Sequence, residues 1–142
     1  MCVLCEKVKI ALSGDSKFLI KEFKNSILIV GEHQYFPGYC QLILKQHVAD
    51  LTDLEESTQA EFFNELMLSA RAVRKAFNPA RLNYSSLGNV VPHIHFHLFP
   101  RYQDELEGKS KLDPWADALE FTSHQTRDKE YDIVGKKVLG HL

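Results

Sequence analysis

Apolar positions fall into two patterns along the chain. Phe18-Leu19-Ile20, Ser26-Ile27-Leu28-Ile29-Val30 and the stretch from Tyr39 to Leu44 are short runs rich in β-branched or aromatic residues, and they read as strands. Gly31 and Pro37 bound the loop between the second and third, where Phe36-Pro37-Gly38 breaks the chain. The spacing then changes. Thr52-Asp53-Leu54-Glu55 fits a capping box, and Phe63, Leu66, Met67, Ala70, Val73 and Phe77 recur at helical intervals as one apolar stripe. Such a stripe is a packing surface, and Asn78-Pro79 ends the helix that carries it. A strand around Asn83 to Ser86 precedes a turn at Gly88-Asn89, and Pro92 to Phe99 reads as the last strand, ending at Pro100. Beyond Arg101 the sequence turns polar through Pro114-Trp115. Its remainder predicts an irregular arm closing in a short helix near Tyr131 to Leu139.

Strands before and after one long helix, without βαβ alternation, predict an α+β fold with a mostly antiparallel sheet packed on that helix. The expected organisation is a single domain over residues 1–142, with 102–142 as a C-terminal extension. With 142 residues the chain can bury a real core, and 25% charged against 44% hydrophobic residues is an ordinary globular balance. A formal charge of −2 leaves no bulk basic surface for a nucleic-acid duplex, so a phosphorylated ligand would need local cations and backbone amides. No apolar run approaches the roughly 20 residues of a membrane helix, and Met1 to Glu6 lacks the succession of a signal peptide. Three cysteines, an odd number, suit a reducing compartment, and the expected location is cytoplasmic.

The chemistry concentrates in His93-Ile94-His95-Phe96-His97. On a strand these three imidazoles share one face, with same-face neighbours about 6.6–7 Å apart and the outer pair roughly 13 Å apart. Ile94, Phe96 and Leu98 point the other way, as a sheet packed on a helix requires. Three readings of the imidazole face are open. Histidines decorating a half-exposed strand are the structural one. A metal site is the second, although His93 and His97 stand too far apart to share one ion easily. The third is nucleophilic attack on phosphorus: neutral imidazole needs no deprotonation at pH 7, and two close rings disfavour double protonation, so one attacks while the other carries a proton.

His93-Ile94-His95-Phe96-His97-Leu98-Phe99 resembles the signature of the histidine triad (HIT) superfamily, alternating histidines with apolar residues, and Pro100-Arg101 continues as in many members. Pro37-Gly38 before an apolar strand, Lys45-Gln46-His47, Asp50-Leu51 opening a long helix, Asn83 and Gly88 extend the resemblance from about Cys2 to Arg101. It implies a HIT-like fold, usually paired as a homodimer, and a hydrolase or transferase acting on nucleotide phosphoanhydride or phosphoramidate bonds, for example in dinucleoside polyphosphates. The reaction would pass through a nucleotidyl-histidine and require no metal. Carried over, His95 would be the nucleophile, His97 would bind phosphate and assist the leaving group, and His93 would hold the neighbouring ring in its tautomer. Asn83, Gly88 and Asn89 would line the α-phosphate and ribose, with Glu32 the nearest acidic candidate for the ribose.

The chain departs from the family pattern at Tyr39, where many members place a fourth histidine, and at Asn89, where glutamine is frequent. These departures keep open a nucleotide-binding or sensing protein with little turnover, and a zinc-dependent hydrolase using the histidine face is a third reading. Cys2-Val3-Leu4-Cys5 has the spacing of half a zinc site, and it equally fits two thiols at a frayed terminus. Some HIT proteins bind structural zinc with two cysteines and two histidines, which by that resemblance would add His47 and His93. In that case His95 and His97 carry the chemistry alone. Cys40 reads as a buried small hydrophobe, His33 as a loop residue, and His124 and His141 as surface positions. Lys45 and Arg101 are the candidate cations for phosphate, each also a solvated strand end. Trp115 reads either as a packing aromatic or as one reaching a partner's base pocket.

Overall fold

Strands β2 (Ser26–Val30) and β3 (Cys40–Leu44) are buried at every position, so both of their faces must be covered. In the computed structural model, which describes residues 1–105, 109–121 and 123–142, they lie inside a five-stranded sheet. Its order is β1-β2-β3-β5-β4, with β1 at Leu19–Glu22, β4 at Arg81–Ser85 and β5 at His95–Arg101, and every pairing is antiparallel. On one face Leu28, Val30, Leu42, Leu44 and Leu98 meet Phe62, Leu66 and Val73 of helix α2 (Glu56–Phe77). Val134 and Val138 complete that layer. They belong to α4 (Asp128–Leu139), which follows the short α3 (Ala118–Phe121). On the other face Ile27, Ile29 and Ile43 are covered by Leu4, Val8 and Ala11 of α1 (Val3–Leu12). The architecture is α+β, as expected.

Helix α1 has no counterpart among the expected elements, although Leu4, Val8 and Ala11 stand at helical spacing. The last helix falls close to its expected place. The arm before it is not free chain: Thr126 donates its hydroxyl to the Gly31 carbonyl at 2.6 Å and its amide to the Glu32 carbonyl at 2.8 Å, bracing the loop after β2. Arg101 holds the start of the extension. Its buried guanidinium donates to Glu105, to Asn83 Oδ1 and to the carbonyls of Lys109 and Leu112.

Two local expectations shift. Asp50, not Thr52, provides the cap: its carboxylate accepts from the Thr52 amide at 2.9 Å in a separate turn at Leu51–Asp53, which lets Leu54 bury before α2 begins. The buried stripe of α2 runs through Phe62, Leu66, Ala70, Val73 and Ala76, leaving Phe63 and Met67 exposed. Polar Glu65 and Ser69 sit within the true buried face and mask it in the sequence. Glu65 accepts from the Asn25 amide at 2.9 Å and the Ser26 hydroxyl at 2.5 Å, tying the β1–β2 turn to the helix. Asn78, in the left-handed region at φ 47°, ends α2 as its sequence suggests. Glu65→Ala should therefore cost about 2–3 kcal/mol in urea denaturation by stranding those donors. Arg71→Ala, on the exposed side of α2, should stay within about 0.5 kcal/mol.

Candidate functional site

The antiparallel register sets Ile43 opposite His95 and Gln41 opposite His97. His95 and His97 therefore emerge on the α1 side of the sheet, their rings 4.9 Å apart between centroids. His95 donates from Nδ1 to the carbonyl of His93 at 2.6 Å, which leaves its Nε2 with a lone pair. Next to it His97 holds the opposite tautomer. Its Nδ1 lies 2.6 Å from the Tyr39 hydroxyl and 3.2 Å from the Gln41 amide nitrogen, which also donates to Tyr39 Oη at 2.5 Å. An amide nitrogen only donates, so His97 Nδ1 accepts and its proton sits on Nε2. Burial, then the neighbouring His95, His33 and Lys7, lowers the His97 pKa to about 3, and burial raises that of Tyr39.

Tyr39 keeps this place because Gly31 faces it across the hairpin. A side-chain carbon on Gly31 would overlap the phenol ring. The ring also stacks on Phe99 at 4.6 Å and on His33 at 4.5 Å. His33 is buried rather than a free loop residue, and burial lowers its pKa to about 4. Trp115 packs edge-on against His97 at 4.8 Å and donates its indole N–H to Ser85.

The pair opens into a cavity of about 420 Å³. Gly88, Asn89 and Glu32 line it together with His95 and His97. So do Lys7 and Gln41, which the sequence does not mark as site residues, and Trp115, which it offers only as a packing aromatic or as one reaching a partner's base pocket. Asn83 lies on β4 facing Arg101 and lines a neighbouring groove of about 700 Å³, which meets the cavity at Leu87. Neither candidate cation reaches the cavity: Lys45 pairs with Glu22 at 2.6 Å, and Arg101 is enclosed by its own partners.

His93 takes a different direction. Its amide donates to the Val91 carbonyl at 2.8 Å and the next amide, of Ile94, to Val48, so β5 begins only at His95 and the alternation stops short of the first histidine. The His93 ring donates from Nε2 to the Leu44 carbonyl at 2.7 Å and turns Nδ1 toward the Sγ atoms of Cys2 and Cys5, each 3.5 Å away. His47 Nδ1 lies 3.3 Å from Cys5 Sγ, and the four ligand atoms are all within 4.8 Å of one another. Zinc bonded at about 2.3 Å to sulfur and 2.0 Å to nitrogen sets tetrahedral S···N edges of about 3.5 Å, so this set fits a zinc ion. The Leu44 carbonyl fixes the orientation of the His93 ring, as outer-shell partners do for metal-binding histidines. Cys40 stays apart, buried in β3 with its thiol pKa pushed up by burial.

The HIT domain family model matches residues 14–104, and the chain belongs to that family. It is 30% identical over 134 residues to a bis(5'-adenosyl)-triphosphatase of Saccharomyces cerevisiae, an alignment covering 84% of this chain and 65% of that protein. The chain thus spans just under two thirds of that relative's length. Its fold is similar to a histidine triad protein of Sinorhizobium meliloti, with a TM-score of 0.76 at 18% identity over 88% of this chain and 89% of the other. It is also similar to a Zn-bound histidine triad family protein of Mycobacterium smegmatis, with a TM-score of 0.65 at 23% identity over 96% and 92% of the two chains.

Imidazole nitrogen NMR should report His95 protonated on Nδ1 and His97 on Nε2 at pH 7. The His97 signals should keep their neutral signature as the pH falls to 5. A His97 midpoint near the ordinary value of about 6.5 would contradict the burial described.

Proposed function

We propose that the chain is a nucleotide hydrolase or transferase that breaks phosphoanhydride or phosphoramidate bonds through a nucleotidyl-histidine on His95. The observation that carries this reading is the pair of opposite tautomers, a free Nε2 lone pair on His95 beside an Nε2–H on His97. His95 Nε2 attacks the α-phosphorus, and the bond to the leaving group breaks with its electron pair going to the leaving atom. The His97 N–H meets that atom or a non-bridging oxygen. Water or another acceptor then attacks the same phosphorus and gives its proton to solvent, while the P–N bond breaks and its electron pair returns to His95 Nε2. Gly88 and Asn89 border the α-phosphate and ribose, and the His93 carbonyl, rather than its ring, fixes the nucleophile's tautomer. A catalytic metal on this face fits poorly, because His97 would have to present a proton-bearing nitrogen as ligand.

Cys2, Cys5, His47 and His93 hold a structural zinc ion in this reading, and that metal supplies no step of the chemistry. The name of the Mycobacterium smegmatis protein agrees with such a site in a protein of this fold. The exposed Phe63, Met67 and Leu68 of α2, together with the open edge of β4, supply the surface of a homodimer. No described helix is long and apolar enough to cross a membrane. Cys2, Cys5 and Cys40 form no disulfide, which accords with a cytoplasmic setting.

His95→Ala should drop turnover of diadenosine triphosphate and of adenosine phosphoramidate below about a tenth of the unaltered rate while nucleotide binding persists. Mass spectrometry after quenching should find the nucleotidyl group on the His95 peptide. Binding without turnover of either compound would favour a sensor. The purified protein should carry one zinc per chain, and cobalt substitution should give tetrahedral thiolate absorption that Cys5→Ser abolishes. Chelation should lower the melting temperature, since metal binding here is folding energy.

A further inference from the structure

The cysteine–histidine cluster and the cavity are built on the same two segments of chain. At the start of α1, Cys2 and Cys5 face His47 and His93, while Val3, Leu4 and Lys7, interleaved with them, line the cavity. Residues 87–91 also line it, and the chain reaches His93 two residues later. Leu4 and Val91 pack in one apolar cluster, and His93 donates its amide to the Val91 carbonyl at 2.8 Å. The four ligands therefore fasten α1 to the segment that meets it in the cavity wall. They also reach the reacting pair, because the carbonyl of His93 accepts from His95 Nδ1 at 2.6 Å. Cys2 and Cys5 are half-buried and His47 is exposed, so the cluster opens to the surface rather than into the cavity.

We propose that the cluster is an oxidant-released clasp that controls nucleotide affinity: zinc holds the cavity wall in its binding shape, and oxidation of Cys2 and Cys5 to a disulfide by hydrogen peroxide frees the ion and loosens that wall. This rests on the structural zinc and the nucleotide site of the reading above. One Sγ attacks a peroxide oxygen, the O–O bond breaks, and hydroxide leaves with the electron pair, giving a sulfenic acid. The other Sγ attacks that sulfur, forming the S–S bond and expelling a second hydroxide. Both hydroxides take up solvent protons, so two thiolates are oxidised and the peroxide is reduced to water. An S–S bond is about 2.0 Å, whereas two sulfurs bound tetrahedrally to one zinc stand about 3.8 Å apart. Oxidation thus draws both sulfurs off the ion and leaves it only two imidazoles. Val8 and Ala11 keep the rest of α1 on the sheet, which confines the change to the first turn and its Val3 and Leu4. Zinc and nucleotide affinities are then linked, and each ligand strengthens the other by the same factor.

The test titrates the zinc-loaded chain with AMP by calorimetry, before and after chelation, with circular dichroism to check folding. AMP should bind at least about fivefold more weakly without zinc, the lower end of usual coupling between linked sites. Glu65→Ala, which loosens the fold elsewhere, should leave AMP affinity within about twofold, so a general loss of stability does not account for the effect. Hydrogen peroxide should release the zinc, remove two hydrogens from the peptide bearing Cys2 and Cys5, and weaken AMP binding as chelation does. Dithiothreitol with zinc should restore it. In the cobalt-loaded chain, which needs no metal-free protein, saturating AMP should shift the thiolate absorption. Zinc retained under peroxide, or AMP affinity within about twofold with and without zinc in a folded chain, overturns the proposal. Where chelation unfolds the chain, an unchanged cobalt spectrum on adding AMP overturns it. A chain that binds no zinc, or no AMP, fails the underlying reading instead, so the two failures are distinguishable.

Discussion

Each imidazole from His93 to His97 commits one ring nitrogen to a fixed partner, and the choice of nitrogen decides what the other is free to do. The Leu44 carbonyl takes Nε2–H of His93, which turns Nδ1 to the thiols. The His93 carbonyl takes Nδ1–H of His95, which frees Nε2. Tyr39 and Gln41 donate to Nδ1 of His97, which puts the proton on the far nitrogen. Three copies of one residue thereby present three different faces: a nitrogen turned to thiols, a nitrogen with a free lone pair and a nitrogen that bears a proton. None of the three assignments needs a charged partner, and burial favours the neutral form of His93 and His97.

The sheet makes those commitments dependable by being closed on both sides. Helices α2 and α4 cover one face, and α1 and Trp115 the other, so β3 and β5 have little freedom to slip in register. A slip of one residue would exchange the histidine face for Phe96 and Leu98. The cysteine–histidine cluster sits where α1 meets the start of β5, so fastening of that helix and orientation of His93 are one event. At the other end, enclosed Arg101 joins β5 to the extension, which returns to brace the loop bearing Glu32.

Much of this was legible in the sequence, because the strands and the long helix follow from local spacing, and the run of histidines is itself a local pattern. The elements that went unread answer to distant partners. Helix α1 is short and shows its purpose only against Ile27, Ile29 and Ile43. Glu65 and Ser69 disguise the buried face of α2, since a carboxylate becomes tolerable inside only when Asn25 and Ser26 supply donors. Lys7, Gln41 and Trp115 come from three separate segments and converge only in the folded chain. Tyr39 could be seen as a departure from the family pattern, but its bond to His97 lies across two strands and no spacing rule reports it.

Gly31 has no side chain with which to bind, ionise or react, yet it decides whether Tyr39 can reach His97. A methyl group there would evict the phenol that faces it, and His97 Nδ1 would keep only the Gln41 amide, 3.2 Å away, to hold it as an acceptor. The hydrogen bonding of a ring on one strand thus depends on an empty volume on another, one that a survey of polar side chains alone would pass over.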